Sequence, residues 1–355
     1  MKITHVLWGL RYGGAETMIT DIANLQSEDN DVSVLLINND IDEDLLSALK
    51  PSIRVIRLNR PLKSCNPLYI IRLNLFILMS DADIIHFHQD NIIRYLFIHK
   101  LKKNLCLTVH DLQLDIKEVR QYNFVFAISA AVRKNLENKT GIEAPIVWNG
   151  IDTARFFQKM KKNNKIFKII QTGRLFHRHK GQHLTLEALS ILVYKYGFTN
   201  VHLDITGWGP SEEYLRQLAE NLKISEYVTF TGVKSKDYLR EHLADYDLLV
   251  QPSLWEGFGL TVCEAMCAMT PVLTSDVEGL KVFAGEDVTK FTFHSGDVED
   301  YASKLFEIIN LPEAEREQIA QNARDFAVKN FDISTTVKNY QIEYEKIKKK
   351  LRKRI

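Results

Sequence analysis

A chain of 355 residues holds enough apolar material for two domains rather than one. With 45% hydrophobic and 26% charged residues it has a globular composition, and a formal net charge of +1 excludes a global electrostatic pull toward nucleic acid. No apolar run approaches the roughly 20 residues that a membrane span needs.

The opening, Met1 to Trp8, is interrupted at Arg11 too soon for a secretion leader and reads as a first strand. In the first half, strand-like runs fall at Ile3–Trp8, Val32–Ile37, Ile53–Leu58, Ile84–Phe87, Leu105–Val109 and Phe124–Ile128. Most are separated by enough residues for a crossover helix, so the half predicts a parallel sheet covered on both faces. A polar, basic stretch, Met160–Lys165, reads as a linker. The alternation then restarts, with runs at Phe167–Thr172, Val201–Thr206, Tyr227–Thr231, Leu248–Gln251 and Val272–Thr274. Two doubly wound halves predict a cleft between domains, the first over 1–155 and the second over 156–330. Val337, Tyr340, Tyr344, Ile347 and Leu351 recur at three- and four-residue spacing, which predicts an amphipathic final helix in 331–355. Four cysteines at neither zinc nor redox spacing read as reduced thiols of a cytoplasmic protein.

Several motifs sit at predicted strand ends. Gly13-Gly14-Ala15-Glu16 follows the first strand and leads into a helical pattern, Thr17–Gln26, where glycines let a backbone approach a diphosphate. It lacks the three spaced glycines of a dinucleotide fingerprint, which argues against a nicotinamide dehydrogenase. Asp81-Ala82-Asp83 has the form of a metal-holding pair but lies at the N-terminal edge of a strand, away from the ligand edge, so no metal is assigned to it. His86 and His88 alternate on one strand and read as crevice-wall or packing residues. His110 ends its strand and faces the crevice, to contact a sugar, to orient a hydroxyl, or to rest within the core.

In the second half Arg174 ends one strand and Lys180 opens the next helix, two cations able to neutralise a departing diphosphate. His177 and His179 between them read as a solvated loop. The run Ser253-Leu254-Trp255-Glu256-Gly257-Phe258-Gly259-Leu260-Thr261-Val262-Cys263-Glu264-Ala265-Met266 places two glutamates eight positions apart, with Glu256 on a strand-to-helix loop and Glu264 on a helix predicted over Leu260–Met269. Gly257 and Gly259 allow a tight loop, the helix start offers free amides to an anion, and Glu264 leans back toward the same mouth.

This last motif resembles the Glu-x7-Glu signature of retaining glycosyltransferases of family 4, which adopt the GT-B fold. The resemblance extends over essentially the whole chain. It includes the Gly-Gly pair, the Arg and Lys-Gly pair, the strand-end histidine and Asn149-Gly150-Ile151-Asp152, whose work in the family is to shape the domain crossover. It implies an α/β architecture of two Rossmann-like domains facing a cleft, with the final helix crossing back to the first. Carried over residue by residue, it implies that Glu256 faces the donor sugar and Glu264 the ribose. Arg174 and Lys180 would serve the diphosphate, with Gly14 over the phosphates and His110 near the sugar. Gly257, Phe258, Gly259 and Leu260 would line the donor. The strand ends at Gly207 and at Val233, after Thr231-Gly232, would hold the base through backbone atoms.

The implied reaction moves a hexose or N-acetylhexosamine from a nucleoside diphosphate sugar to a saccharide hydroxyl with retention, and with neither metal nor cofactor. A uridine donor is favoured on family base rates. A lipid-linked acceptor in surface polysaccharide assembly fits the family's usual role and the basic tail. A sugar phosphorylase of the same fold and a non-catalytic nucleotide-sugar-binding protein are the rival readings. The tail Lys346–Arg354 reads either as a solvated helix end or as an attachment to an anionic cytoplasmic leaflet, which would make the protein peripheral. Pro67–Met79 reads either as a core helix or as a segment lying partly at a membrane interface.

Overall fold

Short runs rich in Val, Ile and Leu form buried inner strands when helices cover both faces of a parallel sheet, and the chain builds two sheets of this kind. A computed structural model describes residues 1–11, 13–157, 166–285 and 291–353. The linker expected at Met160–Lys165 lies outside the described residues. The chain divides into one unit of Met1–Ile151 with Ile333–Ile355 and a second of Asp152–Asp332. Asp152–Arg155 therefore falls with the second unit and not, as expected, with the first. Thr153 Oγ1 donates to Asp332 Oδ2 at 2.5 Å, and Phe157 N donates to Arg240 O at 3.1 Å.

The first unit contains β1 (Lys2–Leu7), α1 (Gly14–Gln26), β2 (Asp31–Asn38), α2 (Glu43–Ser47), β3 (Arg54–Arg60), α3 (Pro67–Met79), β4 (Ile84–Phe87), β5 (Leu105–Val109), α4 (Ile116–Val119), β6 (Phe124–Ala127) and α5 (Ala130–Thr140). The sheet order is β3-β2-β1-β4-β5-β6, all parallel. The direction of winding reverses between β1 and β4, which puts His5 directly opposite His86.

The second unit contains β7 (Phe167–Thr172), α6 (His177–Lys180), α7 (Gln182–Tyr194), β8 (Val201–Thr206), α8 (Glu212–Asn221), β9 (Val228–Gly232), α9 (Lys236–His242), β10 (Leu248–Gln251), α10 (Leu260–Cys267), β11 (Val272–Ser275), β12 (Thr292–Phe293), α11 (Val298–Ile309) and α12 (Glu313–Phe331). Its order is β12-β11-β10-β7-β8-β9, again parallel, with the reversal between β7 and β10. Ile169, Leu189, Leu203, Val250, Leu273 and Tyr301 belong to its core. The two-residue β12 has too little pattern to be read from sequence. α10 stops at Cys267 rather than Met269, because Met269 is left-handed (φ +58°) and Thr270 N closes the end onto Ala265 O at 2.9 Å.

The final helix, α13 (Ile333–Arg352), belongs to the first unit. Ile333 N donates to Ile151 O at 2.8 Å, and Thr336 Oγ1 to Trp148 O at 2.9 Å. Its buried face is Ile333, Thr336, Tyr340, Tyr344 and Ile347. The two tyrosines enter a polar core. The Tyr344 hydroxyl meets His86 Nδ1 at 2.5 Å, His86 Nε2 meets Thr108 Oγ1 at 2.7 Å, and Thr108 Oγ1 meets the Tyr340 hydroxyl at 2.8 Å. At the sheet's other edge Lys348 Nζ reaches Asp83 at 2.8 Å and Lys2 pairs with Asp81, so both aspartates of the Asp-x-Asp are occupied by lysines.

A second chain of rings crosses the same core. His5 Nε2 lies 2.8 Å from Gln26 Oε1, His5 Nδ1 lies 3.0 Å from His88 Nε2, and His88 Nδ1 lies 3.3 Å from His110 Nε2. Burial lowers the His5 pKa to about 4, against a partial opposing effect of Gln26, and it also lowers those of His86 and His88. An unfolded histidine titrates near 6.5. The folded chain thus refuses a proton that the unfolded chain accepts, and stability falls as pH drops from about 6.5 to about 4. For His5 alone the loss is roughly 3 kcal/mol by the lower limit. Urea melts across that window should show the decline, and His5→Gln should make it shallower; an unchanged slope would mean that His5 does not stay neutral. Tyr344→Phe, which strands His86 Nδ1, should cost about 1–3 kcal/mol in the same melts at neutral pH.

Candidate functional site

In an open parallel sheet, ligands bind beyond the carboxyl ends of the strands where the winding reverses. In the second unit that point lies between β7 and β10, and the segments leaving these two neighbours carry Lys180 and Glu256. Lys180 Nζ lies 2.6 Å from Glu256 Oε2, with the two side chains 21% and 12% exposed. The same Oε2 accepts from Ser253 Oγ at 3.1 Å and from Gln251 Nε2 at 3.1 Å. Gln251 is held in turn by Thr261 Oγ1, which donates to its Oε1 at 3.1 Å. Among the described residues nothing donates to Glu256 Oε1, so one oxygen is fixed and the other can accept from a ligand. Burial alone would raise the Glu256 pKa. The Lys180 charge and hydrogen bond, with His179 and Ser253, outweigh it and hold the carboxyl below its usual range. It is a carboxylate at neutral pH.

The backbone brings these two loops together. Leu254 N donates to His179 O at 2.8 Å, and the His179 ring stacks on Trp255 with centroids 4.6 Å apart. Gly181 is left-handed (φ +67°), and a Cβ there would stand 1.9 Å from the Pro252 carbonyl oxygen. Only glycine lets the Lys180 turn approach the other loop so closely. The stretch expected as a solvated loop is instead the short helix α6. His177 Nδ1 meets Ser211 Oγ at 2.8 Å and its ring packs on Tyr214, so both His177 and His179 are packed residues.

Arg174 stands at the end of β7 with its carbonyl accepting from Gln182 Nε2 at 2.9 Å. Its side chain is exposed and makes no ion pair among the described residues, so no contact joins it to Lys180 or Glu256. Gly207 ends β8 (φ +138°), donating its N–H to Gly232 O at 2.9 Å, with a hypothetical Cβ 1.9 Å from Gly173 O. Val233, just beyond β9, is 64% exposed. Gly259 precedes α10, Leu260 is its first residue, and Glu264 lies half-buried farther along it. Gly257 is buried. Phe258 turns its side chain into the core against Phe283 and Phe331, with centroids 5.4 and 5.2 Å away. It can meet a ligand only through its backbone. Gln251 and Ser253, which orient Glu256, were missed; their signal is a polar pair closing an apolar strand.

In the first unit, Gly14 opens α1 beyond β1 and is exposed, and His110 follows β5 half-buried. Burial lowers the His110 pKa to about 4, with Asp111 acting the other way, so the ring is neutral. Gln26 Oε1 can only accept, so it takes the proton on His5 Nε2. That leaves His5 Nδ1 to accept from His88 Nε2–H, and His88 Nδ1 to accept from His110 Nε2–H. The chain ends at His110 Nδ1, a buried acceptor without a partner among the described residues. His5, His86 and His88 could also offer nitrogens to a metal within 4.8 Å of one another. Their ring nitrogens, however, already meet Gln26, Tyr344, Thr108, His110 or each other, which fits a hydrogen-bonded core. Nearby, a cavity of about 710 Å³ opens beyond β4 and β5, lined by Asp90, Arg94, Gln113, Asp115 and Lys139 among others.

Two family models match the chain: Glycosyltransferase Family 4 over residues 12–155 and Glycosyl transferases group 1 over 152–326. Protein CapJ of Staphylococcus aureus is 29% identical over 238 residues, 64% of this chain and 57% of that protein. Glycogen synthase of Mycobacterium tuberculosis is 28% identical over 221 residues, 61% of this chain and 52% of that one. The chain thus matches little more than half the length of these curated relatives. Among solved structures, Anabaena Alr3699/HepE in complex with UDP and glucose superposes with a TM-score of 0.80 at 20% identity, covering 98% of this chain and 100% of that one. WaaG, a glycosyltransferase involved in lipopolysaccharide biosynthesis, gives 0.75 at 18% identity, covering 96% and 99%. These likenesses show the GT-B fold. Family models that between them span residues 12–326, on two six-stranded parallel sheets, establish that the chain belongs to glycosyltransferase family 4.

Proposed function

We propose that the protein is a retaining glycosyltransferase that moves a hexose or N-acetylhexosamine from a nucleoside diphosphate sugar, with uridine the favoured base, to a saccharide hydroxyl. The observation that carries this reading is the Lys180–Glu256 pair at the sheet reversal, with one carboxylate oxygen left open. That oxygen accepts from a hydroxyl of the donor sugar. Lys180 already gives its charge to Glu256, so an arriving diphosphate shares it, with Arg174 as a second cation. Backbone amides from Gly257 to Leu260 face the donor, Glu264 holds the ribose, and the backbone at Gly207 and Val233 holds the base. In the first unit Gly14 serves the phosphates, and His110 Nδ1 accepts from a sugar hydroxyl. HepE has been solved with UDP and with UDP-glucose, which supports the choice of base.

The bond between the sugar's anomeric carbon and the phosphate oxygen breaks, and its electron pair leaves on the diphosphate. The acceptor oxygen bonds the same face of that carbon, and its proton passes to a leaving-phosphate oxygen. Glu256 is given no nucleophilic role, because its open oxygen is assigned to a hydroxyl of the donor sugar. The cations stabilise the departing charge without a metal.

The acceptor is proposed to be lipid-linked, in surface polysaccharide assembly, with the protein peripheral on the cytoplasmic membrane face. Neighbours of like fold that include a lipopolysaccharide outer core galactosyltransferase support this reading. The tail expected to meet the membrane is partly occupied. Lys346 pairs with Glu343, Lys348 with Asp83, and Lys350 lies over the Phe124 ring, while Arg354 lies outside the described residues.

A panel of nucleotide sugars in thermal-shift assays should single out one donor. With that donor, Glu256→Ala should lower kcat by about 10²–10³ while donor binding persists, and Lys180→Ala should act similarly. Turnover that survives Glu256→Ala sinks the proposal. Release of sugar 1-phosphate that depends on free phosphate would instead identify a phosphorylase. Turnover should be unchanged by a metal chelator, and a strict metal requirement would overturn the cation-only account.

A further inference from the structure

One helix turns its apolar stripe outward. In α3, Leu68, Ile71, Leu75 and Leu78 recur at three- and four-residue spacing and are 61, 48, 50 and 43% exposed, and Met79 is 80% exposed. The fully buried residues are Leu73, Asn74 and Ile77, with Tyr69, Ile70 and Phe76 half-buried, and the inward side is anchored by a polar residue: Asn74 Nδ2 donates to Ile70 O at 2.8 Å and to Tyr95 O at 2.7 Å. The segment after Tyr95 is tied to the helix end by Lys102 Nζ, which donates to Ser80 O at 2.8 Å. It adds Phe97 and Leu101, 75 and 69% exposed. Monomeric proteins rarely expose a contiguous set of this size without a use for it.

The surrounding charge is mainly basic, and the acids just beyond α3, Asp81 and Asp83, are paired with Lys2 and Lys348. Residues 60–80 and 96–105 contain Arg60, Lys63, Arg72, Lys100, Lys102 and Lys103 but no Asp or Glu, in a chain otherwise balanced at 46 basic and 45 acidic residues. Lys63, Arg72, Lys100 and Lys103 are exposed. A second copy docked symmetrically here would set these cations against their own images. An anionic surface with an apolar layer beneath answers both features. At 13 residues α3 is too short to span a bilayer, and among the described residues no helix is long and apolar enough to cross a membrane.

We propose that α3, with Phe97 and Leu101, is the face that seats this protein on an anionic lipid bilayer. Leu68, Ile71, Leu75, Leu78 and Met79 enter the acyl boundary, while Lys63, Arg72, Lys100 and Lys103 meet headgroup phosphates. The purpose of docking rests on the lipid-linked acceptor proposed above; the docking itself does not. It also replaces the basic tail as the main membrane contact.

Co-sedimentation of the full chain with vesicles of phosphatidylcholine, alone or with added phosphatidylglycerol, tests this. Binding should need the anionic lipid and weaken with salt. Ile71→Ser with Leu75→Ser should reduce it roughly tenfold or more, and so should Lys100→Glu with Lys103→Glu. Both pairs are exposed, so melting should be unchanged. Lys349→Ser with Lys353→Ser, in the tail, should change binding little. Absence of vesicle binding overturns the proposal, as does loss of binding in the tail variant alone, or a dimer in sedimentation velocity that the Ile71/Leu75 variant abolishes. Transfer to a soluble saccharide acceptor, measured in parallel, separates failure of docking from failure of the catalytic reading.

Discussion

A carboxylate can be buried as an anion only where partners replace its water. That constraint governs the second unit. Glu256 has Lys180, Ser253 and Gln251 on one oxygen, and each donor is brought to it by the fold. Gln251 ends β10, Ser253 lies two residues on, and Lys180 comes from beyond β7, the strand hydrogen-bonded to β10. The site thus depends on the strand order. If β7 and β10 were not neighbours, the lysine could not reach, and the glutamate would be neutral or solvent-exposed.

The first unit resolves a related problem with neutral groups. Four histidines, two tyrosines, a threonine and a glutamine share a core in which most ring nitrogens and hydroxyls meet one another. Such a network specifies a single arrangement, because one missing link leaves a polar group stranded. Its outer end, His110 Nδ1, borders the strand ends, so packing within the sheet sets the hydrogen-bonding character of a group at its edge.

The alternation of apolar runs made both sheets legible, since period and spacing are local properties. The two loops that build the site were legible for the same reason: Glu256 with its glycines, and Lys180 before Gly181, follow strand-like runs. What escaped depends on contacts between distant residues. His5 and His88 are 83 positions apart and only the pairing of β1 with β4 joins them. The motif shows Phe258 on the loop beside Glu256, but not that its ring turns inward to two distant phenylalanines. His177 and His179 looked solvated because Ser211, Tyr214 and Trp255 are not their sequence neighbours in any helical or strand period. Pro67–Met79 was legible as an apolar helix, at the core or at an interface, but composition does not say which way its stripe points.

The return of α13 to the first unit makes the second unit an uninterrupted insertion. Ile333 N on Ile151 O marks the place where the host closes, and Thr153 on Asp332 clasps the two ends of the insert. Both seams therefore lie within a few residues of a single crossing. Grafting a homologous insert at that crossing would exchange one lobe while leaving the other lobe's hydrophobic interior whole. A simple truncation of the carboxyl end would instead strip two tyrosines from the host.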